Sequence, residues 1–159
     1  MLTRLSLITL IACLAACSEK PAAPQSSPEP AAPAAAAPEA LPRSASKEGA
    51  KVFFISPADG ETLTNPVRVE FGIEGMDVVR AGENQPHSGH HHLLIDTGLP
   101  AMDLPIPAND QHVHFGDGST STEITLPPGE HSLQMLLGDY LHIPHDPPLA
   151  SEVITITVE

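Results

Sequence analysis

Residues 67–73 read VRVEFGI, placing Val67, Val69, Phe71 and Ile73 on one side and Arg68, Glu70 and Gly72 on the other. This period of two belongs to a strand with one buried face, and an amphipathic helix does not produce it. The alternation recurs outward from this stretch. Val113 and Phe115 alternate with His112 and His114, Ile124 and Leu126 run into Pro127-Pro128-Gly129, and Leu133, Met135 and Leu137 follow. Ile154, Ile156 and Val158 alternate with Thr155 and Thr157, and residues 51–55 and 90–96 supply two more apolar strands. Turn sequences separate them: Pro57-Ala58-Asp59-Gly60, Asn65-Pro66 and Gly116-Asp117-Gly118. About seven short strands in the 113 residues 47–159 predict an all-β fold, an antiparallel β-sandwich of immunoglobulin-like type. With no Trp, and no Cys after position 17, its core must rest on aliphatic packing.

The residues before this domain are of another kind. A basic start, Met1 to Arg4, precedes the apolar run LSLITLIACLA, too short for a bilayer span and patterned as a secretory signal. Residues 1–16 are thus expected to be a signal peptide. It ends in Leu14-Ala15-Ala16-Cys17, which resembles the bacterial lipobox, and the resemblance implies cleavage before Cys17 and lipidation of its thiol and new amino group. Ser18 after that cysteine, by resemblance to Gram-negative lipoproteins, implies the outer membrane with the domain facing the periplasm. Residues 17–46 are expected to be a disordered tether, because seven prolines and almost no large apolar side chains leave nothing to bury. Polyproline II geometry gives the 29 residues after Cys17 a reach of about 90 Å.

Charge and cysteine usage narrow the chemistry. Residues 47–159 hold four of the seven basic and 17 of the 20 acidic residues, so this segment carries the whole net charge of −13. Such a surface repels nucleic acid and raises the local concentration of cations. The lack of thiols in residues 18–159 excludes thiolate zinc sites, iron–sulfur clusters and cysteine-ligated copper.

All nine histidines lie between positions 87 and 145. In a strand, His112 and His114 share one face, as do His90 and His92, and if the two segments pair their rings form a patch. His142 and His145 lie in a proline-rich stretch that can fold over that patch. The expected ligands of a transition metal ion, Cu or Zn, are therefore His90, His92, His112, His114, His142 and His145. His91, Asp96, Asp139 and Asp146 are expected around them as acceptors for ring N–H groups. His87 and His131 read as ordinary polar residues, and Met135 reads as core.

From about residue 52 to 158 the chain resembles the bacterial domain-of-unknown-function family forty-three ninety-nine. The strings that carry the resemblance are VFFISPADGETL, VEFGIEGM, GHHHLLIDT, LPIPANDQHVHFGDG, LPPGEHSLQMLLGD and HIPHDPPLASEVITITV. The resemblance implies a small exported domain, often a lipoprotein, with a signature falling on His90, His91, His92, His112, His114, His142, His145, Asp146, Pro147 and Pro148. It implies no activity. The expected function is an envelope-anchored, non-enzymatic metal-binding lipoprotein, its partners a divalent ion and, through its lipid, the membrane. Two other classes compete: a periplasmic protein-interaction module whose histidines are not ligands, and a histidine-ligated metalloenzyme.

Overall fold

The computed structural model describes residues 42–159. The signal peptide, Cys17 and the tether up to residue 41 lie outside the described residues. Among the described residues nine strands run in the order β1 (Lys51–Ser56), β2 (Thr62–Leu63), β3 (Val67–Glu74), β4 (Asp77–Val78), β5 (Ser88–Ile95), β6 (His112–His114), β7 (Ser121–Ile124), β8 (Gly129–Gly138) and β9 (Ile154–Val158). The seven expected strands are present, and β2 and β4 add two residues each, too short to leave a periodic signal.

The strands form two sheets. One has the order β1-β3-β7, all antiparallel. The other has the order β2-β9-β8-β5-β4, with β6 beside β4 on the same edge of β5. The chain crosses between sheets after β1 and again after β2, and β2 joins β9 in parallel.

Alternation decides which side chains fill the space between the sheets. Val67, Val69 and Phe71 of β3 meet Leu93, Leu133, Met135, Leu137, Ile154, Ile156 and Val158, all buried. A fully buried Leu or Met is worth about 1.5–3 kcal/mol, so this aliphatic layer can hold a domain that has no disulfide.

β5 is buried over all eight residues. Its inward side chains, His91, Leu93 and Ile95, join the core, while its outward face carries His90, His92 and Leu94. Leu94 packs with Leu136, Ile106 and Ala150 in a second, smaller apolar cluster. The strand is thus covered on both faces, which is why its sequence reads as a continuous apolar-and-histidine run.

Just beyond β5, the left-handed Asp96 (φ 52°) accepts from the Ser132 amide through Oδ1 (2.9 Å) and lies 2.7 Å from His131 Nδ1 through Oδ2. The other ring nitrogen of His131 lies 2.8 Å from the Pro127 carbonyl. With acceptors at both nitrogens, first the Asp96 carboxylate and then the Pro127 carbonyl, the imidazolium form is favoured and the His131 pKa is raised. A raised pKa contributes stability that is full below the unfolded value, near 6.5, and fades as pH rises through the folded value. His131→Ala should therefore destabilise the chain more at pH 6.5 than at pH 9, as measured by urea unfolding at the two pH values. Equal losses would show that charge plays no part in this clamp.

Candidate metal centre

The pairing of β5 with β6 builds the centre. Antiparallel register sets His92 opposite His114 and Leu94 opposite His112. Because β5 offers a leucine at the next outward position, only one member of the 112/114 pair can face a histidine. His114 joins His90 and His92, whereas His112 turns its Nδ1 to Asn109 Oδ1 at 3.0 Å.

The fourth imidazole comes from the loop after β8. His142 stands in the left-handed region (φ 66°) because a tight turn encloses it. Asp139 Oδ1 accepts from the amides of Leu141 (2.8 Å) and Ile143 (3.0 Å), on either side of His142. The backbone closes the same turn, with His142 N donating to Asp139 O and Asp139 N to Ile143 O, both at 2.9 Å.

The four rings are mutual neighbours. Ring centroids are 4.9 Å apart for His90–His92, His90–His114 and His90–His142, 5.0 Å for His92–His114 and 4.7 Å for His114–His142. His92 and His142 are the widest pair, at 6.2 Å. One nitrogen from each of His90, His114 and His142 lies within 4.8 Å of the others. A tetrahedral ion with bonds of 2.0–2.1 Å needs nitrogens about 3.3 Å apart, so these three would have to close by up to about 1.5 Å to share one.

Two glycines make room for the rings. A Cβ at Gly138 would lie 2.7 Å from His92 Cε1, and one at Gly116 only 2.3 Å from His114 Cε1. These positions carry no signal in the sequence as members of a site, because a glycine beside a turn has many explanations.

The electrostatics are those of crowded, buried imidazoles. Among the described residues neither ring nitrogen of His90 or His92 has a hydrogen-bond partner, although both side chains are fully buried. A buried polar atom left unpaired costs about 1–3 kcal/mol, and such groups are rare. Burial, followed by repulsion from His142 and His114, pushes His90 down to about 4, with Asp139 opposing. Burial, followed by repulsion from His90, His114 and His142, pushes His92 down to about 2. His114 is lowered by burial and His142, with Asp117 opposing. His90, His92 and His114 are therefore held as neutral imidazoles, the form that donates a lone pair to a metal.

The model of a family described as Domain of unknown function (DUF4399) matches residues 69–159. The chain belongs to that family. No curated protein and no solved structure matches it. The family match begins inside β3 and takes in all four clustered histidines together with Asp139, Gly116 and Gly138.

Other residues expected at the site are elsewhere. His145 lies on the far face of the sheet, with Nε2 3.1 Å from Ser88 O and Nδ1 3.4 Å from Leu137 O. His91 points into the core against Phe71, with ring centroids 5.2 Å apart. Alternation along β5 puts it opposite its two neighbours. Its ring nitrogens also lack a partner among the described residues, and burial pushes it down to about 4. Asp96 is committed to His131 and Ser132, and Asp146 is exposed and pairs with Arg43 at 3.4 Å. Of the four carboxylate and histidine supports expected, only Asp139 serves the cluster, and it holds the backbone around His142.

Proposed function

We propose that the chain is a non-enzymatic, envelope-anchored protein that binds one Cu(II) or Zn(II) ion through His90, His92, His114 and His142. The observation that carries this reading is the convergence of four imidazoles in which the four nitrogens of the two most buried rings have no partner among the described residues. An all-nitrogen donor set suits Cu(II), Zn(II) or Ni(II) and disfavours Mg(II) and Ca(II). A catalytic zinc keeps a position open beside three protein ligands, whereas here His92, with its ring centroid 4.9 Å from His90 and 5.0 Å from His114, offers a fourth imidazole beside the triad of His90, His114 and His142 to close a tetrahedral shell. Storage or transfer of the ion fits a closed shell better than hydrolysis does. The acidic surface favours cation capture, and the signal and lipobox-like sequence favour a lipid-anchored location at the outer membrane, facing the periplasm.

Calorimetric titration of the full chain with CuCl2 and ZnCl2 tests the reading. The expected result is one ion per chain with Kd below about 10 µM, or about 7 kcal/mol of binding free energy. His90→Ala combined with His114→Ala should weaken binding by about 100-fold or more, or about 2.7 kcal/mol. His112→Ala, outside the cluster, should leave affinity within about twofold, less than 0.5 kcal/mol. Absence of binding, or equal losses from His112 and from the cluster, would remove the support for a metal centre.

A further inference from the structure

Residues 43–46 pack against the loop that carries His142, from about a hundred positions earlier in the chain. Ser44 Oγ donates to Asp139 Oδ2 at 2.7 Å, while the other oxygen of that carboxylate holds the amides flanking His142. Asp139 is 1% exposed, so its Oδ2 has little access to water and depends on Ser44. Arg43 grips the next residues: its Nε donates to Pro144 O at 2.9 Å, and its Nη2 donates to His145 O. Backbone bonds complete the contact, from Asp146 N to Ser44 O at 2.9 Å and from Ser46 N to Asp146 O at 3.1 Å.

We propose that residues 43–46 are a latch that positions His142 for metal, with Ser44 acting through Asp139 as the positioning residue. The inference rests on the metal reading above and assigns to the base of the tether a part in that site. One carboxylate joins the two functions. If Oδ2 loses its hydroxyl partner, Asp139 is free to turn away from the 141 and 143 amides. The left-handed backbone at His142 then loses the bonds that enforce it. His142 is the one ligand supplied by a loop rather than a strand, so its position depends most on such support. A restraint applied to the chain before residue 43 acts directly on the residues that hold this ligand.

Supports one shell out from a metal ligand typically change affinity by about 10–100-fold. The test is Cu(II) and Zn(II) titration of the full chain carrying Ser44→Ala, Ser44→Thr or His142→Ala, with thermal melts of each metal-free chain. Ser44→Ala is expected to weaken binding by about tenfold while the metal-free melting midpoint moves little. Ser44→Thr, which keeps the hydroxyl, is expected to restore affinity. Amide hydrogen exchange at Leu141 and Ile143 should accelerate in Ser44→Ala. If Ser44→Ala binds within twofold of the unsubstituted chain while His142→Ala loses tenfold, the latch is overturned and the metal centre stands. If Ser44→Thr is no better than Ser44→Ala, or the loss follows the melting midpoint, Ser44 is only a structural residue and the latch is overturned. If the unsubstituted chain binds neither ion, the metal reading falls and takes the latch with it.

Discussion

Lowering the pH from 6.5 to 4.5 is expected to unfold the metal-free chain, with a midpoint between about pH 4 and 5.5. The cause is the block His90, His91 and His92, which burial holds at pKa values of about 4, 4 and 2. In the unfolded chain the same three imidazoles titrate near 6.5. Between those limits the unfolded state binds protons that the folded state does not, so stability falls as pH falls. Each histidine contributes about 1.4 kcal/mol per pH unit in that window, so three contribute about 4 and two pH units about 8. A whole domain is typically stable by only about 5–15 kcal/mol. His114, also lowered, acts in the same direction. The measurement is far-ultraviolet circular dichroism of chelator-treated protein across the range, with urea melts at each pH. His91→Leu, which removes the one member of the block that faces the core, should reduce the slope by about a third. A chain that keeps native NMR dispersion at pH 3.5 would rule out this origin of acid sensitivity.

This acid sensitivity bears on the metal reading. Three adjacent buried imidazoles without hydrogen-bond partners among the described residues are a poor way to build a strand, since leucine or valine would fill the same space without unpaired nitrogens. Burial of His91 against Phe71 satisfies alternation alone, whereas His90 and His92 face two further histidines from distant parts of the chain. Binding of an ion to the folded state adds RT ln(1 + [L]/Kd), about 2.7 kcal/mol at a concentration one hundred times Kd. Binding of an ion thus offsets part of the cost of the unpaired rings. The acid limb in excess Zn(II) should lie below that of the metal-free chain.

What the sequence reveals about the fold comes from period two. Val67, Val69 and Phe71 in β3, and Leu133, Met135 and Leu137 in β8, fill one layer because a strand sends alternate side chains to one face. The same rule assigns His90 and His92 to one side of β5 and His91 to the other. Register is harder to read. Whether His112 or His114 faces the β5 histidines depends on a shift of two residues, which the length and path of the 96–111 loop determine and alternation does not. Without β6 paired as it is, His112 has an equal claim. Loop conformation is harder still. His142 and His145 are three apart in an irregular segment, and only the turn closed on Asp139 sends the first to the cluster while the second crosses to Ser88. The support from Ser44 is invisible to local pattern, because it lies in a stretch whose proline content argues against folding.

Gly138→Ala is expected to damage the centre more than any other single change outside its ligands. Gly138 pairs with His90 across the sheet, and its missing side chain points to the face where the rings gather. Its φ is not positive, so the glycine does not serve backbone conformation there. It leaves space instead: an added Cβ would sit 2.7 Å from His92 Cε1, 3.1 Å from its Nδ1 and 3.2 Å from Ile106 Cδ1. His92 is 1% exposed and flanked by His90 and His114, so its ring has little room to retreat. Overpacking of this kind costs about 1–3 kcal/mol. The displaced ring no longer meets the other three, and metal affinity should fall at least about tenfold, the scale of a disturbed ligand support. Gly116→Ala makes the contrast. Its Cβ would lie 2.3 Å from His114 Cε1, but that ring is partly exposed and can swing outward. The expected result there is a loss of affinity with little loss of stability. Paired titrations and urea melts separate the two cases. A Gly138→Ala chain with unchanged affinity and an unmoved His92 resonance would show that the ring is not confined by the sheet and does not serve as a ligand from this position.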